Sequence, residues 1–253
     1  RASMEHGEVR VYDCCPERRT HSLEDTLPSD LIFLCLPTPQ RIGELKPNLS
    51  AIEDFCDGVH GSKSNFVLKS TVPVGTTSRL RKDYRLPNLI HSPEFLTARC
   101  SITDAQLPAR NIVGGEACEC RDALVSFYRQ RYPGVQLLLM SSDESELVKL
   151  MTNGFFAVKI AFMNEMHYYC AHKGLDWNKV LGGVLADGRI SHAHTRVPGP
   201  HGEYGFGGAC LIKDLANLIT CMAGDLPGQN AVVTGAAYRR NQDIDLKRAN
   251  KDV

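Results

Sequence analysis

One short run carries residues that could do covalent chemistry: Gly205-Phe206-Gly207-Gly208-Ala209-Cys210-Leu211-Ile212-Lys213-Asp214. A single cysteine directly follows a glycine-rich turn, with a lysine and an aspartate in the next four residues. From Cys210 to position 223 the pattern is apolar at helical spacing, which predicts a helix starting at or just after the cysteine. Residues four apart share a helix face, so Asp214 is expected over Cys210. The N–H groups of a first helical turn favour an anion, and Lys213 adds a positive charge nearby. A thiol so placed is a candidate nucleophile with a carboxylate partner. The alternative is an inert cysteine buried behind a tight turn.

Further groups follow apolar runs at their carboxyl ends, where open α/β sheets bind ligands. They are Leu36-Pro37-Thr38-Pro39, Ser70-Thr71-Val72-Pro73-Val74-Gly75-Thr76-Thr77 and Ser92-Pro93-Glu94-Phe95-Leu96. Their hydroxyls, N–H groups and carboxylate could touch a cofactor or substrate; polar turns stiffened by proline are the other reading. Lys149 and Asn153 lie four apart on a predicted helix, where an ammonium and an amide can donate to one oxyanion. A solvated helix face is the alternative there. Asp13 ends the run 9–12, the position at which a dinucleotide-binding sheet holds the ribose hydroxyls, and an acid there favours NAD over NADP. An ordinary turn aspartate would look the same.

These groups need elements to hold them. Strand-like runs at 9–12, 30–36, 65–69, 89–91, 110–113 and 134–139 alternate with helical stretches at 49–61, 77–84 and 119–131. Such alternation predicts α/β architecture, a Rossmann-like parallel sheet with right-handed crossovers. From Ser141 the pattern turns helical. Ser141-x-x-Glu144 has the form of a capping box opening a long helix over 143–173, with Gly174 as its C-cap. Helices at 177–185, 210–223 and 229–240 follow, with a loop at 192–204 and a polar tail at 241–253. The expected division is a nucleotide-binding domain over 1–141 and an all-helical domain over 142–253 with the long helix at its centre, of a length that usually crosses a domain or a dimer interface. A nucleotide-binding sheet should open with a strand and a glycine-rich turn, and neither precedes Val9. The first strand and helix, about 25 residues by the size of a βαβ unit, are therefore expected ahead of this chain.

Basic and acidic residues number 29 each, so there is no basic surplus for nucleic acid and no polybasic tail for a membrane. No apolar run reaches the roughly 18–20 residues of a membrane span. The ten cysteines form no repeated framework and no C-x-x-C pair, which points to reduced thiols, no metal site and a cytoplasmic protein.

Taken in order, these pieces resemble the UDP-glucose/GDP-mannose dehydrogenase family over nearly the whole chain. The resemblance rests on Asp13 with Arg18, the 30–39 strand and turn, Ser70–Thr77, Ser92–Leu96, the helix from Glu146 to Glu165, Asp187-Gly188-Arg189-Ile190 and, above all, Gly205–Asp214. It implies oxidation of a nucleotide sugar's C6 alcohol to a carboxylate with two molecules of NAD. Cys210 would attack the intermediate aldehyde, giving a thiohemiacetal and then a thioester that water hydrolyses. Lys149 and Asn153 would stabilise the alkoxide and oxyanion, Asp214 would position water, and Glu94 and Thr71 would assist hydrolysis. Asp13 and Arg18 would hold the adenosine ribose, with Pro37, Thr38, Ser70, Thr71 and Lys213 also on the cofactor side. The sugar would meet Glu94, Phe95, Leu96, Lys149 and Asn153, and also Tyr204, Phe206 and Gly207. Arg189 would reach the substrate of a neighbouring subunit, so a homodimer built on the long helix is implied.

The chain departs from the family pattern in three ways. It lacks the glycine-rich phosphate loop in front, so weak NAD binding is expected, and it lacks a third domain behind. Ala98 stands where many members carry a second glutamate. The loop over 197–203 is also long. UDP-glucose is the leading substrate, with GDP-mannose and UDP-N-acetylhexosamines as alternatives. A two-electron hydroxyacid or 6-phosphogluconate-type dehydrogenase would share the architecture without the cysteine turn. A non-catalytic dimeric scaffold or inactive fragment, and a thiol-redox or metal-binding protein, are the readings from other classes.

Overall fold

Strands buried within a sheet need helices packed on both faces, and the runs at 66–68 and 89–91 are wholly buried in this way. The computed structural model describes residues 7–40, 44–97, 99–200, 202–226 and 231–249. After a one-turn helix α1 (Leu23–Thr26), capped by Ser22, β1 (Ile32–Leu34) opens the sheet. Helix α2 (Ser50–Gly58), β2 (Phe66–Leu68), α3 (Thr76–Asp83) and β3 (Leu89–His91) follow. A short α4 (Ser101–Gln106) leads to β4 (Arg110–Gly114), α5 (Glu119–Arg131) and β5 (Gln136–Met140). The strands lie in the order β1-β2-β3-β4-β5. Phe66 pairs with Ile32 on one side and Leu89 on the other, and Arg110 with Gln136.

One face of the sheet packs Leu68 and Leu89 against Ile52, Cys56 and Leu80, and the other packs Val67, Ile90 and Val113 against Cys120 and Leu124. Full burial of each such aliphatic side chain contributes about 1.5–3 kcal/mol.

The expected Rossmann-like α/β architecture holds, with three of the four strand pairings parallel; the exception is β4, which runs antiparallel to β3, paired at His91 and Gly114. The connection between them holds only the six-residue α4, not a helix long enough to cover the sheet and return the chain in parallel. The stretch 9–12 forms no strand. It has no ladder partner among the described residues, and the Val11 carbonyl instead accepts from the Thr20 and His21 N–H groups at 2.8 and 3.1 Å.

Helix α6 (Ser142–His172) follows, then α7 (Trp177–Leu185), α8 (Gly208–Asp225) and α9 (Val232–Ala249). The α6 start is the expected box: Ser141 Oγ accepts from the Glu144 N–H, and the Glu144 carboxylate accepts from the Ser141 N–H at 2.7 Å. Gly174 adopts φ +66° just past its end. Helix α9 runs on to Ala249, through much of the stretch expected as a polar tail; 250–253, like Ala98, lie outside the described residues.

The chain separates into two compact units. The first comprises Arg1–Pro39 and Pro47–Lys149, the second Gln40–Lys46 and Leu150–Val253. The second unit has its own core, in which Ala157 and Ala161 of α6, Leu215 of α8 and Ala237 of α9 surround Phe206.

Candidate active site

In the first unit, the loops at the carboxyl ends of β1 and β2 are bound to each other. Thr38 Oγ1 donates to the Thr71 carbonyl at 3.0 Å and Ser70 Oγ to the Leu36 carbonyl at 2.6 Å. Both hydroxyls are therefore loop fasteners that keep acceptor capacity, while Pro37 is exposed beside them. Asp13 closes a turn, its Oδ1 accepting from the Cys15 N–H at 2.8 Å, and Arg18 is exposed. Glu94, at the end of β3, meets Lys149 of α6, which is 4% exposed. Lys149 Nζ donates to the Glu94 carbonyl at 2.7 Å and to Glu94 Oε1 at 3.1 Å. The Phe95 ring lies between Lys149 Nζ (5.4 Å) and the Arg110 guanidinium (4.0 Å), and Leu96 is exposed.

The N–H groups at the end of the 70–77 turn are not free for a ligand as expected. Gly75 and Thr77 N–H donate to the two oxygens of Glu146 at 2.6 and 2.8 Å, and Thr77 Oγ1 adds a third bond of 2.6 Å. Gly75, at φ +86°, turns the chain so that the first turn of α3 faces this carboxylate. Burial pushes the Glu146 carboxyl up to about 7, against the pull of its three donors. Burial drives the neighbouring pH-sensitive group the other way: His91, which shares a 2.8 Å bond with Ser145 Oγ, is lowered to about 3.

The signs are opposite. A raised carboxyl binds its proton more tightly in the fold, so Glu146 contributes stability below pH 4.5 that is lost as pH rises through about 7. A lowered imidazole contributes stability above pH 6.5 that is lost as pH falls towards about 3. Glu146→Gln removes the first effect and leaves the second. Its destabilisation relative to wild type should grow as pH falls from 7 to 4.5, by about 1.4 kcal/mol per unit. At pH 8 it should still cost about 1–3 kcal/mol, because an amide N–H₂ cannot accept from an N–H. Urea unfolding at several pH values measures this, and a pH-independent difference would remove the titration of Glu146 from the account.

In the second unit, α8 begins at Gly208, so Cys210 sits in its first turn, with an exposed and free thiol. None of the ten cysteines is in a disulfide. Asp214, one turn on, is 1% exposed. Its Oδ2 accepts from Asn153 Nδ2 at 2.6 Å, and Lys213 Nζ is 2.9 Å from its Oδ1. The carboxylate is thus engaged by an amide and an ammonium, and α8 places it four residues from Cys210 on the same helix. Phe206 also departs from expectation. Its ring is 4% exposed in the unit's core, and its backbone groups are bonded to Asn241, so this side chain is a packing element rather than a surface for sugar. Gly207, the N-cap, is exposed, and Tyr204 stacks on Tyr168 at 5.6 Å. Arg189, in the loop after α7, closes on its own turn, pairing with both oxygens of Asp187 at 2.9 and 2.6 Å.

Residues 17–132 match the NAD binding domain of the UDP-glucose/GDP-mannose dehydrogenase family, and residues 143–242 match its central domain. The chain belongs to that family. It is 31% identical over 247 residues to a UDP-glucose 6-dehydrogenase of Bos taurus, covering 88% of this chain and 49% of the relative. Its fold is similar to a UDP-glucose dehydrogenase from Pyrobaculum islandicum, at 29% identity and TM-score 0.70, covering 85% of this chain and 50% of that one. A 3-hydroxyisobutyrate dehydrogenase of Mycobacterium tuberculosis shares the fold alone, at 17% identity and TM-score 0.60. The chain spans about half the length of the curated relatives it matches. Within the family frame, three buried groups escaped the sequence reading: Glu146, Asn164 and Asn241. Asn164 interrupts an apolar helical pattern, which was the available signal, whereas Glu146 follows the polar run 141–145 and gave none.

Among the described residues no helix is long and apolar enough to cross a membrane, and no three His, Cys, Asp or Glu are grouped to hold a metal.

Proposed function

We propose that this chain is the cofactor and catalytic portion of an NAD-dependent nucleotide-sugar 6-dehydrogenase, most simply one converting UDP-glucose to UDP-glucuronate. The observation that carries this reading is an exposed cysteine in the first turn of α8 with the buried Asp214, held by Asn153, one turn on. An oxidation that stopped at the aldehyde would need no nucleophile. A cysteine is needed where the aldehyde carbon must be held and carried on to an acid.

The donor set fits NAD. Asp13 presents a partly exposed carboxylate able to accept from ribose hydroxyls, and Thr38, Ser70 and Thr71 line strand ends where such a cofactor binds. When bound, NAD takes up one hydride from the alcohol and, as a second molecule, one from the thiohemiacetal. The chain's own residues do the rest. Lys149 donates to the oxygen of the alcohol as the hydroxyl proton passes to water. Cys210 Sγ bonds to the aldehyde carbon, and the oxyanion so formed accepts from Asn153 Nδ2, which Asp214 holds in place. Water then adds to the thioester, its proton going to Asp214 or Glu94, and the carbon–sulfur bond breaks to return the thiolate. Thr71 assists that hydrolysis.

A homodimer through α6 is part of this reading. Met151, Phe155, Phe162 and Tyr169 recur on one face of the helix and are each more than half exposed, an apolar stripe suited to a second copy. Arg189 of that copy is assigned to the sugar. Ten cysteines with no disulfide among them support a cytoplasmic setting.

The test is NADH formed per sugar consumed, with UDP-glucose and GDP-mannose offered separately. Two per sugar supports the four-electron route and names the substrate. One per sugar removes the covalent role of Cys210. None with either sugar favours a UDP-N-acetylhexosamine or a scaffold.

A further inference from the structure

The turn that presents Cys210 is held by two buried asparagines to which no role above is given. The Gly205 N–H donates to Asn164 Oδ1 at 2.9 Å. The Phe206 N–H donates to Asn241 Oδ1 at 2.7 Å, and Asn241 Nδ2 donates back to the Phe206 carbonyl at 2.8 Å. Asn164, on α6, is 2% exposed and Asn241, on α9, is 4% exposed, so water does not substitute for these bonds. Asn164 is itself oriented, its Nδ2 donating to the Ile160 carbonyl at 2.8 Å.

We propose that Asn241 and Asn164 are positioning residues for Cys210, clamping Gly205 and Phe206 so that the first turn of α8 holds the thiol in one place. The proposal rests on the reading of Cys210 as the reacting group.

The geometry explains why a clamp is needed. Gly207 and Gly208 separate Phe206 from the cysteine turn, and a Cβ added at either would meet nothing within 4 Å. No side chain and no packing at those two positions can set the direction of the chain. It is set from outside, by Phe206 buried among Ala157, Ala161, Leu215 and Ala237 and by the asparagine bonds to the backbone on either side of that ring. Gly205 is required twice over: it adopts φ +79°, and a Cβ there would lie 2.5 Å from Asn241 Oδ1. The amide occupies the space that a side chain would take.

Asn241→Leu and Asn164→Leu keep side-chain bulk and remove the bonds. Two readings are taken on each purified full chain, alongside a thermal melt. Iodoacetamide labelling of Cys210 is followed by mass spectrometry, with exposed Cys100 in the same molecule as reference. Labelling of Cys210 should change by at least about threefold in both variants while Cys100 is unchanged, because the thiol is no longer held in one place on the first turn of α8. The turnover number should fall about 10- to 100-fold with KM little changed, the effect of misplacing a reacting atom by an ångström or so. Asn164→Asp retains the acceptor for the Gly205 N–H, and its labelling should stay with wild type even if the leucine variants melt early. Wild-type labelling in folded leucine variants, or an Asn164→Asp rate shifted as far as that of Asn164→Leu, overturns the clamp. Cys210→Ala separates the two claims: acid formation by that variant would remove the nucleophile's role, while the labelling rates still decide the clamp.

Discussion

Cys210→Ala should abolish acid formation, lowering its rate by about 10³-fold or more, while the first hydride transfer persists. The residue is exposed, so removing its sulfur leaves no cavity and no unpaired partner, and the melting temperature should move by less than about 2 °C. That separation makes the experiment informative. A buried structural cysteine such as Cys56 or Cys120, both wholly shielded, would cost stability on truncation, whereas Cys210 should cost chemistry alone. Burial raises the Cys56 thiol to about 11, which keeps it protonated and unreactive at neutral pH. The product readout is aldehyde or its hydrate against carboxylate, together with NADH per sugar. An alanine variant that still delivers carboxylate with two NADH would place hydrolysis on the aldehyde hydrate and leave Cys210 without a covalent function.

Periodicity was enough to place most elements, because their signal is local. The limits of α5 and α7 and the capping box at Ser141 follow directly from sequence spacing. What escaped was non-local. The run 9–12 has strand composition, yet a strand exists only by pairing, and no partner lies beside it among the described residues. The reversal of β4 depends on how residues 92–109 return to the sheet, which the apolar pattern of the strand does not encode. Helices α1 and α4 are too short for a 3.6-residue period to show. The site divides in the same way. Residue type and spacing singled out Lys149, Asn153, Cys210 and Asp214 as candidates but paired Lys149 with Asn153 and Cys210 with Asp214, whereas the chain brings Asn153 to Asp214 and Lys149 to Glu94. Glu146 was not legible as a clamp, since its Gly75 partner is 71 positions away. Asn241 was not either, because its bonds to Phe206 span 35 positions and an asparagine late in a polar helix looks like surface.

Lys149→Met should lower the turnover number by about 10²- to 10³-fold with a much smaller effect on KM, the pattern of a group whose interaction strengthens as charge develops on oxygen. Methionine preserves the unbranched stem, which is almost wholly buried, although the ammonium's position 5.4 Å over the Phe95 ring goes with the charge. What is lost is the ammonium and its two bonds to Glu94. Glu94 keeps about a third of its side chain exposed, so water can replace the lysine there, and the stability cost should stay near 1–2 kcal/mol. The same geometry predicts an asymmetry between the partners. Glu94→Gln leaves the 2.7 Å bond from Lys149 to the Glu94 backbone carbonyl intact, so the ammonium stays in place without its counter-charge. If Lys149 supplies the electrostatic stabilisation and Glu94 mainly aims it, Glu94→Gln should cost less than Lys149→Met in the first oxidation. Equal losses in both variants would mean that the ion pair acts as a unit. A Lys149→Met chain whose turnover stays within about threefold of wild type would reduce the pair to a structural tie between β3 and α6.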